Sequence, residues 1–125
     1  MASGAALRPG SVAWVDLGES VGREQQGRRP AVVVSSEDHL AVATSLVAVV
    51  PCTTVDRGWI NHLRIDSESA GLDRATFAMT EQVRTVARGR LVGEVGSVSA
   101  ASLGEITAWV HRWLAPPLES YPPRI

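Results

Sequence analysis

Two short stretches of this chain carry side chains suited to gripping a phosphate. The first is GREQQGRRP, residues 22–30, which sets three arginines, one glutamate and two glutamines between Gly22, Gly27 and Pro30. Glycine permits backbone conformations that other residues resist. A residue before proline is held extended, so Arg29 enters the following strand with its side chain aimed. Its guanidinium offers five N–H donors in a flat fork that matches phosphate oxygens. The second stretch is VPCTT, residues 50–54, an apolar run ending in two hydroxyls. Each has an ordinary explanation: Arg28 and Arg29 pair on the surface with Glu19 and Glu24, and the threonines cap a turn. The pair together is more telling. If the two strands are antiparallel neighbours, Arg29 at the start of one lies beside Thr53 at the end of the next. A cation and a hydroxyl then converge on one small anion.

Other constellations are absent from the sequence. It has no CxxC, HExxH or GxxxxGK[ST], and its glycines do not form GxGxxG. The single cysteine, Cys52, excludes an internal disulfide and suits a reducing, cytoplasmic compartment. His39, His62 and His111 fall in different elements, so no spacing supports a metal site and no cofactor is expected. His62 is nevertheless titratable near neutrality and is a candidate acid or base.

The composition sets outer bounds. With 125 residues the chain is one domain, 45% hydrophobic and 20% charged, as soluble globular proteins are. A formal net charge of −1 argues against a generally basic surface, so any anion site must be local. All twelve basic residues are arginines. No apolar run reaches membrane-spanning length, and the opening MASGAALRPG lacks a hydrophobic signal core.

The elements that must position the two stretches are short. SVAWVDL (11–17) and AVVVSS (31–36) read as strands, EDHLAV as one helical turn or a loop, and SLVAVVP (45–51) as a central strand. NHLRI, ATFAM and EQVRTVA give further strand pieces, whereas RGRLVGEVGSV is glycine-rich and short-stranded at best. Ser99 caps a helix over residues 100–114, on which Leu103, Ile106, Val110, Trp113 and Leu114 would face the core. Pro116 and Pro117 end it. The gaps are too short for the crossover helices of a parallel sheet. The expectation is therefore a mainly β protein, a small bent barrel with a C-terminal α-helix, with residues 1–8 and 116–125 as flexible ends.

These residues carry a resemblance. VGREQQGRRPAVVVSS, then VVPCTT, then RGW, then EQVRTVA and a closing helix are similar, in that order and register, to the MazF/PemK toxins of type II toxin–antitoxin systems. The resemblance spans about Pro9 to Leu114 and implies a homodimeric SH3-like barrel. It further implies a metal-independent endoribonuclease that cleaves single-stranded RNA through its own 2′-hydroxyl, inhibits translation and is neutralised by a cognate antitoxin. It assigns catalytic roles to Arg29 and Thr53 and matches the family's loop glutamate and its glutamines to Glu24, Gln25 and Gln82; Glu24 is read as catalytic beside them, and Arg23, Gln25, Arg28, Trp59, His62 and Gln82 as RNA contacts. Arg23 stands where the family commonly carries a small residue. The segment EDHLAVATS lacks the asparagine-rich pattern often found there.

Two other functions stay open at this level. One is a CcdB-like gyrase poison on the same barrel, although the chain ends YPPRI without the tryptophan-glycine-isoleucine end of that group. The other is a non-catalytic RNA-binding module. Four tryptophans, at 14, 59, 109 and 113, exceed what so small a core needs and point to a partner surface.

Overall fold

A computed structural model describes residues 7–18, 22 and 27–114. Arg23, Glu24 and Gln25, residues 1–6 of the expected N-terminal end, and Pro116 and Pro117 with the rest of the tail lie outside the described residues. The elements are β1 (Ser11–Asp16), β2 (Arg28–Val33), α1 (Glu37–Val42), β3 (Leu46–Thr53), β4 (His62–Ile65), β5 (Thr76–Met79), β6 (Arg84–Ala87), β7 (Leu91–Ser97) and α2 (Ala100–Leu114). Single 3-10 turns occupy Thr80–Gln82 and Arg88–Arg90. No helix among the described residues is long and apolar enough to cross a membrane.

Every strand pairing is antiparallel. The order is β4-β5-β3-β2-β1-β7, with β6 on β3 beside β5. The path β6-β3-β2-β1-β7 bends round on itself, because only Arg88–Arg90 separates its two ends in sequence. Val86 of β6 and Leu91 of β7 accordingly join Val15, Val33, Val47 and Val49 in one buried cluster. The two ends meet by packing rather than by hydrogen bonds, and β4, β6 and β7 remain edges of the hydrogen-bonded sheet. Alternation sends the next residues to the opposite face, where Val12, Val32, Val50 and Cys52 meet Ile106 of α2 in a second cluster. Val12, Val15, Val32, Val33, Val47, Val49 and Val50 are each fully buried. Burying each contributes on the order of 1.5 kcal/mol or more.

Three expectations need correction, and the open choice at EDHLAV is resolved. β2 begins at Arg28, three residues before the apolar run, because Asp16 and Val15 of β1 pair with Arg28 and Arg29. EDHLAV is a helix, α1, with the Ser36 hydroxyl accepting from the His39 amide at 3.1 Å. The glycine-rich segment forms β7, seven residues long, which pairs with β1 through two register shifts. Its glycine at 96 and Gly71 let the 67–72 turn lie against it: a Cβ on Gly71 would stand 2.0 Å from the Val95 carbonyl oxygen, and Gly71 is at φ +76°. On α2 only Ile106 is buried. Leu103 and Val110 pack on the second cluster, while Trp113 and Leu114 are exposed. The expected cap is present, with Ser99 accepting from the Ser102 amide at 3.1 Å.

Two glycines therefore have opposite consequences. Gly71→Ala meets a backbone carbonyl at a positive φ and should cost more than about 2 kcal/mol. Gly104 lies within α2 with nothing within 4 Å of a Cβ. Gly104→Ala should stabilise by about 0.5–1 kcal/mol through helix propensity. Urea unfolding midpoints of the two variants test both signs.

Candidate active site

The β2–β3 ladder pairs Val33 with Val49, Val32 with Val50 and Ala31 with Pro51. Carried two residues further, this register sets Arg29 across from Thr53, and register partners share a face. The ladder itself stops at Ala31–Pro51. Where the strands part, a notch of about 360 Å³ opens, lined by Gly27, Arg28, Arg29, Thr53 and Thr54, with Trp14, Pro30 and Cys52 as its more apolar wall. Gly27 sits at φ +76°, a conformation that only glycine adopts without strain, and turns the chain into β2.

Thr53 is nearly buried, and its Oγ1 accepts from the Val55 amide at 3.1 Å. It does cap a turn, and that bond uses a lone pair and leaves the hydroxyl proton to donate elsewhere. Arg28 is exposed and Arg29 half-buried at the lip. A guanidinium and a hydroxyl facing one opening can together hold two oxygens of a phosphoryl group. Cys52 contributes shape only: burial pushes its thiol from the usual 9.0 up to about 12, against a smaller lowering by a hydrogen bond from the Val32 backbone.

His62 does not line this notch. It is buried on β4, and its Nε2 donates to Glu81, 2.9 Å from Oε1 and 3.0 Å from Oε2. Its Nδ1 is buried without a hydrogen-bond partner among the described residues. The Asn61 amide also donates to Glu81 Oε1, at 2.8 Å. The Thr80 hydroxyl donates to the Asn61 carbonyl at 2.7 Å and accepts from Trp113 Nε1 at 3.1 Å. Trp59 rests on the His62 ring, 4.7 Å between centroids, and stays half-exposed. The β3–β4 loop thus leaves the notch at Thr54 and is pinned at its far end to the 3-10 turn and to α2. Gln82, expected on a strand, lies in that 3-10 turn and is half-buried.

Of the sequence-predicted residues, the structure brings Arg28, Arg29 and Thr53 together, and sets Trp59 with His62 in a separate cluster beyond the loop. Arg23, Glu24 and Gln25 belong to the undescribed part of the first loop. His39 binds Ser35 Oγ through Nδ1 at 2.7 Å, and His111 is exposed on α2. Glu81, Asn61 and Thr80 carry no local signal of this cluster in the sequence. Their partners lie nineteen or more positions away, and the alternation of NHLRI gave no sign of an internal histidine, since it groups His62 with exposed Arg64 on the face opposite Leu63 and Ile65.

Comparison with known proteins bears on these features. The family described as "PemK-like, MazF-like toxin of type II toxin-antitoxin system" matches residues 8–114. The endoribonuclease MazF9 of Mycobacterium tuberculosis is 35% identical over 105 residues, 80% of this chain and 89% of that protein. The endoribonuclease toxin MazF of Escherichia coli K12 is 33% identical over 103 residues, 82% and 88% of the two chains. Among solved structures, MazF of Deinococcus radiodurans superposes with a TM-score of 0.76 at 22% identity, covering 88% of this chain and 97% of that one. A mycobacterial endoribonuclease in complex with its cognate antitoxin gives 0.70 at 23% identity, covering 94% and 100%. At these identities the solved structures bear on the fold alone.

The Cys52 geometry yields a prediction. A thiol held protonated up to about pH 12 in the folded state, against 9.0 when unfolded, binds more protons folded than unfolded between those values. The sign follows: its contribution to stability is constant below about pH 9 and declines as pH rises from there. A colourless-to-coloured thiol reagent at pH 8 should leave the native protein unmodified and react at once in denaturant. Rapid native labelling would contradict the burial.

Proposed function

The chain belongs to the PemK-like, MazF-like toxin family of type II toxin–antitoxin systems, and we propose that it cleaves single-stranded RNA at the notch between β2 and β3. The observation that carries this reading is the pairing of a half-buried guanidinium, Arg29, with a hydroxyl, Thr53, whose proton is unspent. The rest follows from what RNA supplies. Its 2′-hydroxyl attacks the adjacent phosphorus, the bond from phosphorus to the 5′ oxygen breaks, and the products are a 2′,3′-cyclic phosphate and a 5′-hydroxyl. The 2′ proton leaves to a base, and the departing 5′ oxygen gains one. No metal is required by that sequence of bonds.

Arg29 and Thr53 donate to the non-bridging oxygens, where charge builds in the transition state. Preorganised donors of this kind contribute on the order of 10²–10³ in rate each. Arginine is too weakly acidic to take the 2′ proton, its pKa exceeding about 12. Glu24, four residues before Arg28 in the first loop, is the carboxylate we place at that step. Arg28, exposed at the notch, steers and holds the RNA backbone, with Arg23, Gln25 and Gln82 as further contacts. His62, tied to Glu81, serves through the tryptophan it supports.

A homodimer and a cognate antitoxin complete the reading. Exposed Trp113, Leu114 and Trp14 supply apolar surface for partners. The antitoxin segment lies across the surface that RNA uses, in the cytoplasm where both occur. The protein should scatter light as a dimer at micromolar concentration, and bound antitoxin should stop cleavage.

The test of the reaction is chemical. Cleavage should persist in excess EDTA, and a 2′-deoxy nucleotide before the scissile phosphate should abolish it. Efficient cutting at the deoxy position would overturn attack by the internal hydroxyl.

A further inference from the structure

The rows of the sheet extend the site beyond the notch. Thr53 pairs with Phe77 on β5, and Phe77 pairs with Arg64 on β4. Register partners share a face, so Arg29, Thr53, Phe77 and Arg64 form one row on one side of the sheet. Arg64 lies two strand spacings from Thr53, each about 4.8 Å. It is exposed, and none of the ion pairs among the described residues involves it. His62, two residues before Arg64, shares that face, and Trp59 lies against His62 with 47% of its surface open. Trp59 and Arg64 therefore flank the same stretch of β4, with half-buried Phe77 between Arg64 and the notch. Arg57 adds a second cation 5.8 Å from the Trp59 ring.

An aromatic face beside a cation is the arrangement that holds one nucleotide, base on ring and phosphate on guanidinium. We propose that Trp59 and Arg64 form a second nucleotide subsite, and that the RNA strand leaves the notch across Phe77 toward β4. This inference rests on the endoribonuclease reading for the identity of the ligand. The Glu81 carboxylate is the positioning group: by holding His62 and Asn61 it fixes the end of the loop that carries Trp59. A charged residue on an edge strand also deters edge-to-edge pairing, and that role alone makes no demand on RNA.

The experiment measures binding to an RNA oligonucleotide made uncleavable by 2′-deoxy substitution at the scissile nucleotide, across a salt series. Nested versions shortened from either end are included, and cleavage of the all-ribose form is followed in parallel. Arg64→Ala should weaken binding about tenfold and make the log–log salt slope shallower by about 0.7, the loss of one single-strand phosphate contact. Trp59→Ala should lose about 5- to 150-fold with the slope unchanged. Both deficits should vanish when the nested set loses the same nucleotide. Glu81→Gln should weaken binding in the wild-type background and add nothing to Trp59→Ala. Arg74→Ala, exposed in the 67–75 segment, should bind as wild type. A wild-type slope for Arg64→Ala, or deficits that persist on the shortest RNA bound, would overturn the subsite. Wild-type binding without cleavage of the all-ribose RNA would instead overturn the endoribonuclease reading and leave the subsite to stand or fall on the binding data.

Discussion

The register between β2 and β3 is the constraint on which the site depends. Ala31 opposite Pro51 puts Arg29 and Thr53 on the same face at the end of their strands. A slip of one residue would turn one of them to the other face. The register is held from both sides. Alternate valines of β2 and β3 fill the first cluster, and the intervening ones pack under α2. A shift would therefore expose one apolar set and bury polar groups in its place. The stability of the core and the aim of Arg29 and Thr53 are thus one and the same requirement.

The second organising feature is the hydrogen-bonded chain from α2 to the β3–β4 loop. Trp113, Thr80, Asn61, Glu81 and His62 are linked in sequence by bonds of 2.7–3.1 Å. Thr80 is fully buried, and it both donates and accepts. Leaving either bond unmade there would cost about 1–3 kcal/mol. The helix contributes one isoleucine to the core, yet it also steadies a surface loop that starts at Thr54, on the rim of the notch. That explains why its last turn carries tryptophan at an exposed position.

What could be read in the sequence was local or periodic. Proline at 30 and the VPCTT run gave away two neighbouring strands and their facing ends, because proline restricts the residue before it and alternating valines mark buried strands. Ser99 and the helical spacing of Leu103, Ile106 and Val110 gave the closing helix its bounds. The remainder depended on distant partners. β7 was obscured by its glycines, of which Gly96 lies against the 67–72 turn, more than twenty residues away. Arg64 reads as one polar position in an alternating strand until two registers align it with Thr53. The burial of His62 needed its carboxylate partner at Glu81, nineteen positions on.

The central claim is that Arg29 and Thr53 act on one phosphate. A double-mutant cycle on single-turnover RNA cleavage tests it most directly. The account predicts that Arg29→Ala and Thr53→Ala each lower the rate by at least about 10² with RNA affinity little changed. It also predicts that the double variant loses less than the product of the two, since both donors serve a single group. Near-wild-type turnover by Arg29→Ala, or strictly multiplicative losses, would contradict it.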